Sequence, residues 1–150
     1  EQKRKLVEKY NPELVINYQE ENLRETVEAH FGKRPINIFY DQVGGQAYDE
    51  GVKLLSSEGR ALIVGFASGN IPSQLLSYLL VKNITIIGVF MISFEDNDKE
   101  YLKSRIEIIF EHYRNKKIKP VFETIDFENI IEYLDLIGSR KTVGRIVAVK

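Results

Sequence analysis

The sequence predicts an α/β protein built on a mainly parallel sheet, and three observations carry that prediction. Short apolar runs alternate with segments whose apolar residues recur at helical spacing, the rhythm of strands joined by crossover helices. One run, Ala61-Leu62-Ile63-Val64, is continuously apolar between Gly59-Arg60 and the loop Gly65-Phe66-Ala67-Ser68-Gly69, as expected of a strand buried on both faces. The small residues of that loop let a ligand approach the backbone closely, and open α/β sheets bind ligands at the carboxyl ends of their strands.

The chain has 150 residues, 43% hydrophobic and 29% charged, enough for a domain with a real core and unlike a disordered segment. A formal net charge of −1 gives no electrostatic case for nucleic acid or an anionic membrane. With no cysteine, disulfides and thiolate zinc ligands are excluded within the chain, and the redox compartment stays open. No apolar run approaches the ~18 residues of a membrane span, and nothing at the start reads as a signal peptide. The chain starts at Glu1, without methionine, and enters a helical pattern at once, so we expect a fragment whose natural start lies upstream.

Taken in order, Glu1 to Tyr10 is a charged helix with Leu6 and Tyr10 on one face, stopped by Asn11-Pro12 because proline bars its predecessor from helical geometry. Leu14 to Tyr18 reads as a short strand. Asn22 is an N-cap with Glu25 in capping-box position, and Leu23, Val27 and Phe31 form an apolar face ending at Gly32. A strand from Ile36 to Tyr40, the loop Asp41-Gln42-Val43-Gly44-Gly45 and a helix from Ala47 to Leu55 follow, then a strand from Arg60 to Phe66. Pro72 sits near the start of a helix with a broad apolar face of Leu75, Leu76, Leu79 and Leu80. Ile84 to Phe90 is a β-branched strand. Asp98 caps a long helix reaching Lys116, with Leu102, Ile106, Ile109, Phe110 and Tyr113 as its buried stripe. After Pro120 the rhythm changes: a half-exposed strand from Val121 to Ile125, a helix marked by Phe127, Ile130, Ile131 and Leu134, and a final strand from Arg145 to Val149.

With these residues in view, the chain resembles the C-terminal half of the medium-chain dehydrogenase/reductases, the superfamily of zinc-containing alcohol dehydrogenases, in the quinone oxidoreductase or zeta-crystallin-like branch. The resemblance rests on Val15-Ile16-Asn17-Tyr18, Asp41-Gln42-Val43-Gly44-Gly45, Gly59 through Gly69, Lys82-Asn83-Ile84, Ile118-Lys119-Pro120, and Ser139-Arg140-Lys141 with Gly144. It implies a partial Rossmann fold, a doubly wound, mainly parallel sheet whose six-strand order is 3-2-1-4-5-6. Strands 3 to 6 would lie within residues 1–120 and strands 1 and 2 upstream. Residues 121–150 would return to the catalytic, substrate-binding domain. The glycine-rich turn that sets a pyrophosphate on a helix N-terminus would also lie upstream.

The resemblance gives several residues a second reading beside the plain one. Lys3 can face the 2′-phosphate of NADPH or be a solvated helix lysine. Tyr18 would close strand 3 near the cofactor's phosphate or adenosine, or stand at a strand end with its hydroxyl in water. Val43 and Gly45 would pass along the adenosine side, while Asp41 caps the following helix and the glycines make its turn. Gly65, Phe66, Ala67 and Ser68 are the strongest candidates, glycine and small side chains leaving room for a dinucleotide. Val89, Phe90 and Met91 would hold the nicotinamide carboxamide through backbone atoms. Their side chains read as core packing. His30 and His112, the two histidines, read as surface or boundary residues, and no metal ligand or catalytic acid–base pair is assigned.

The resemblance therefore implies a soluble oxidoreductase that transfers a hydride from NADPH to a quinone or an α,β-unsaturated carbonyl, the cofactor carrying the chemistry. A homodimer through the edge strand from Ile84 to Phe90 is expected. So is a cytoplasmic location, with the mitochondrion left open. Membrane and nucleic acid are not expected as partners. Two other readings remain: a protein of the same fold that holds NADPH or nucleic acid without turnover, and a dimerisation fragment without a cofactor site. Without its pyrophosphate turn, this chain alone should bind NADPH poorly or not at all, and without strands 1 and 2 it should self-associate or be partly disordered from Glu1 to Gly32.

Overall fold

The computed structural model describes residues 2–139 and 142–150, with residues 95 and 96 described by their backbone alone. Glu1, Arg140 and Lys141 lie outside the described residues, which removes two of the three residues of the Ser139-Arg140-Lys141 motif from structural account. The chain packs as two units, residues 13–96 and residues 1–12 with 97–150.

In the unit of residues 13–96, Asn22 caps α2 (Leu23–Phe31) by accepting the Glu25 N–H at 3.1 Å. Gly32, at φ +87°, ends the helix by donating its N–H to Glu28 O, because only glycine takes that conformation without strain. Three strands follow: β1 (Ile36–Asp41), β2 (Leu55–Ile63) and β3 (Thr85–Gly88). They pair in parallel in the order β1-β2-β3, with Asp41 opposite Ile63 and Ile63 opposite Gly88. Between them run α3 (Gly45–Gly51), a 3₁₀ turn (Val52–Leu54) and α4 (Leu76–Lys82). This is the parallel α/β arrangement the alternation of patterns predicts.

The core is Tyr48, Val52, Leu55, Ala61 and Ile84, with Phe39, Ile63, Tyr78, Leu79 and Ile86 packed against it. Gly51 is demanded by this packing, since a Cβ there would overlap the Phe39 ring. At the opposite end of the sheet from Asp41, the Arg34 guanidinium donates to Leu55 O at 2.7 Å and Lys82 O at 3.0 Å. One side chain thus satisfies carbonyls at the start of β2 and the end of α4, groups that would otherwise need water.

Several expectations are corrected here. Leu14 to Tyr18 is not a strand. Val15 and Ile16 are half-buried, but a strand needs a ladder partner, and the described sheets offer none to this segment. A turn closes it instead, with Glu20 and Glu21 donating to Asn17 O. Three of the four expected strands of this region therefore form. The strand predicted from Arg60 to Phe66 starts earlier and stops at Ile63, leaving residues 64–66 as loop. The strand predicted from Ile84 to Phe90 is Thr85–Gly88, and Phe90 and Met91 instead open α5 (Ile92–Asn97), which the sequence reading missed. Pro72 lies four residues before α4 rather than in its first turn. The leucine face of that helix is exposed at Leu75, Leu76 and Leu80, with Leu79 alone of the four at the core.

The other unit holds α1 (Gln2–Glu8), α6 (Lys99–Arg114), β4 (Phe122–Asp126), α7 (Ile130–Gly138) and β5 (Arg145–Val149). Asp98 caps α6 as expected, accepting Tyr101 N–H at 2.9 Å. Strands β4 and β5 pair in parallel. Gly144 is required beside them: at φ +80° any added Cβ would run into the Val121 backbone. The stripe expected to be buried on α6 is open, with Ile106, Ile109, Phe110 and Tyr113 exposed and Leu102 half-buried. An amphipathic pattern specifies a face that gains by being covered, but it does not supply the cover. Ile125 is the one buried residue among those described in this unit.

Candidate functional site

The carboxyl ends of β1, β2 and β3 lie side by side, and the loops that leave β1 and β2 run together as a continuation of the sheet. Val64 N–H donates to Asp41 O at 2.8 Å, Ala67 N–H to Gln42 O at 3.0 Å, and Ser68 N–H to Val43 O at 2.9 Å. Gly45 N–H reaches back to Asn70 O at 3.0 Å. Beyond β2, Val89 N–H donates to Ile63 O at 2.9 Å, which carries the pairing one residue past β3. The result is a rim of main chain along one edge of the sheet.

Each loop has its own local logic. Asp41 is 2% exposed, and its carboxylate accepts the N–H groups of Val43 at 2.9 Å and Gly44 at 3.0 Å. The N-cap of α3 is Gly44 rather than Asp41, so Asp41 organises the loop and not the helix end itself. At Gly44, φ +70°, an added Cβ would lie 2.7 Å from Asn70 O, and at Gly45, φ +56°, 3.2 Å from Ser68 Oγ. Both glycines are required by the fold. Gly65 differs: its nearest neighbour to an added Cβ is Gln42 O at 3.6 Å, an ordinary contact.

Of the residues singled out in the sequence, the structure brings together Val43, Gly45, Gly65, Phe66, Ala67 and Ser68 on the two adjoining loops. Phe66 is exposed there, and its carbonyl accepts Gly69 N–H at 2.9 Å. Val89 joins them through Ile63. Phe90 and Met91 are exposed, and their carbonyls accept Ser93 N–H and Phe94 N–H in the first turn of α5. Tyr18 is exposed in the turn that replaces the expected strand, so no strand carries it to the sheet edge. Lys3 is on α1, in the other unit. The sequence reading gave Asp41 only a capping role and missed Gln42 and Asn70, whose contributions are main-chain carbonyls that side-chain identity does not reveal.

Behind the rim, Tyr48 is 2% exposed, with its hydroxyl 3.5 Å from Gln74 Oε1. Burial, then the carboxylates of Asp41 and Asp49 and the hydroxyl of Tyr78, push its pKa above the usual tyrosine value. His30 is exposed with its ring edge-on to Phe31, and His112 is half-buried on α6. Among the described residues no group of three or more histidine or carboxylate side chains could hold a metal, so the donor set for zinc is not met by these residues. Nor is any helix among them long and apolar enough to cross a membrane.

Fold and rim together define a parallel α/β domain whose strands end side by side, and open α/β sheets bind ligands at that edge. Residues 1–111 match the family described as zinc-binding dehydrogenase, and the chain belongs to that family. It is 27% identical over 144 residues to a quinone oxidoreductase-like protein 2 homolog of Nematostella vectensis, covering 95% of this chain and 40% of that protein. The mouse quinone oxidoreductase-like protein 2 is likewise 27% identical, over 148 residues, with 98% and 42% covered. The chain thus spans about two fifths of the length of these curated relatives. Among solved structures, Escherichia coli quinone oxidoreductase complexed with NADPH superposes with a TM-score of 0.78 at 21% identity, over 91% of this chain and 43% of that one. At that identity the likeness concerns the fold.

Proposed function

We propose that the whole protein is an NADPH-dependent oxidoreductase that reduces a quinone or an α,β-unsaturated carbonyl, and that this chain supplies part of its cofactor domain. The observation that carries the proposal is the spare room at Gly65, at the carboxyl end of the central strand, beside the likewise open Gly88 at the end of β3 and the crowded Gly44 and Gly45. The family match and the reductase relatives support the reading.

When bound, NADPH supplies the hydride. The chain's own residues hold and shield it. Gly65 and Ala67 leave space for the dinucleotide, Ser68 and the loop from Asp41 to Gly45 border its adenosine side, and main-chain atoms of Val89, Phe90 and Met91 receive the carboxamide. Phe66 and Phe90 offer apolar surface that excludes water from the reacting centre. The cation proposed for the 2′-phosphate, on the resemblance alone, is Lys3, as a point charge. No side chain of this chain is given a proton-transfer role. Residues 121–150 are assigned to the substrate domain.

The partner proposal is a second copy, joined through the outer edge of β3, which has β2 as its one neighbour among the described strands. An unpaired edge with Ile87 partly exposed is a template for strand pairing. Sedimentation equilibrium should report twice the 17.4 kDa mass for this chain, and a monomer at tens of micromolar would reject the dimer.

The activity is tested by following NADPH oxidation by the whole protein with phenanthrenequinone and with a simple enone. Consumption above the enzyme-free rate is expected with one or both. No consumption, together with saturable NADPH binding, would favour the non-catalytic reading. Lys3→Ala should weaken NADPH more than NADH, and equal effects on the two would remove Lys3 from the site.

A further inference from the structure

We infer that Asp41 is the positioning residue of the candidate groove, acting through two peptide planes rather than on any ligand. The Gln42–Val43 peptide presents its N–H to the Asp41 carboxylate at 2.9 Å and its carbonyl to Ala67 N–H at 3.0 Å. The Val43–Gly44 peptide does the same: its N–H lies 3.0 Å from Asp41 Oδ1 and 3.2 Å from Oδ2, and its carbonyl accepts Ser68 N–H at 2.9 Å. A trans peptide is planar, with N–H and C=O pointing opposite ways. Orienting the N–H therefore aims the carbonyl.

One carboxylate thus sets the direction of both carbonyls that hold Ala67 and Ser68. A carboxylate is a stronger acceptor than a neutral oxygen, and at 2% exposure water does not compete for the Asp41 oxygens. The third rung, Gly45 N–H to Asn70 O, and the fourth, Val64 N–H to Asp41 O, bracket the other two. Asp41 accordingly fixes the lateral distance between the loops, and with it the space left open above Gly65. As a role in cofactor binding this rests on the NADPH reading, whereas the hold on Ala67 and Ser68 does not.

Two variants separate the roles. Asp41→Asn keeps an oxygen where Oδ1 accepts both N–H groups, and Asp41→Ala keeps none. Amide hydrogen exchange, measured without nucleotide, should speed up at least about tenfold at Ala67 and Ser68 in Asp41→Ala and less than about threefold in Asp41→Asn, with Ala61 in the core unchanged in both. In the whole protein, the dissociation constant for NADPH should rise about tenfold in Asp41→Ala, from a loop displaced by a fraction of an ångström. The quinone KM should hold, and asparagine should restore most of the NADPH affinity. Unchanged exchange at Ala67 and Ser68 in Asp41→Ala, or an asparagine variant as impaired as alanine, overturns the inference. If Asp41→Ala does not fold, Asp41→Ser, with one shorter acceptor, takes its place and should exchange at Ala67 and Ser68 faster than Asp41→Asn; exchange equal to wild type overturns the inference there too. Failure of the wild-type protein to bind NADPH sinks the proposed function but leaves the exchange comparison intact.

Discussion

At Gly44 an added Cβ would meet the Asn70 carbonyl oxygen at 2.7 Å, and at Gly65 it would meet nothing closer than 3.6 Å. The two glycines sit on neighbouring loops, at the ends of neighbouring strands. The first is explained by the fold: its φ of +70° and the close carbonyl leave no place for a side chain. The second is not needed by any contact among the described residues. Room at such a glycine, at the carboxyl end of a central strand, is what the proposed dinucleotide site would use. Similar-looking glycines in sequence can thus lie in crowded or in open surroundings, and only the fold tells them apart.

Substitution separates the two glycines. Gly44→Ala should cost about 3 kcal/mol of stability, from strain at positive φ together with the clash, read by denaturant unfolding; a loss under about 1 kcal/mol would mean the loop relaxes freely. Gly65→Ala should leave stability within about 0.5 kcal/mol yet weaken NADPH binding by the whole protein roughly tenfold, or about 1.4 kcal/mol. Unaltered binding would put the cofactor elsewhere.

Smaller effects test what lies behind and beside the rim. Because burial raises the Tyr48 pKa, the folded state keeps that proton at pH values where the unfolded chain has begun to lose it. Stability from this group is intact below about pH 10 and falls as pH rises beyond it, by at most about 1.4 kcal/mol per unit. Tyr48→Phe should lower stability at pH 7 but flatten part of that alkaline decline, and an identical slope in both proteins would refute the role. Phe90→Ala, at an exposed side chain, should change NADPH affinity less than about twofold, since the proposed contact there is main chain. A tenfold loss would shift the contact to the ring.

The sequence by itself determined which segments are helix and strand where their pattern is strong. The Asn22 and Asp98 caps and the Gly32 stop formed as read, because capping and chain reversal are decided within a few residues. It also pointed to the loops from Asp41 to Gly45 and from Gly65 to Ser68 through their small residues and their place after apolar runs. The tertiary structure decided what depends on neighbours distant in sequence. Leu14 to Tyr18 has strand-like residues but no ladder partner among the described strands, and the apolar stripes of α4 and α6 have faces but little cover. Asp41 could be read as a helix cap until Ala67 and Ser68 were seen bonded to the far ends of the peptides it holds. Local preference is written in consecutive residues, whereas pairing and burial belong to surfaces that only the folded chain brings together.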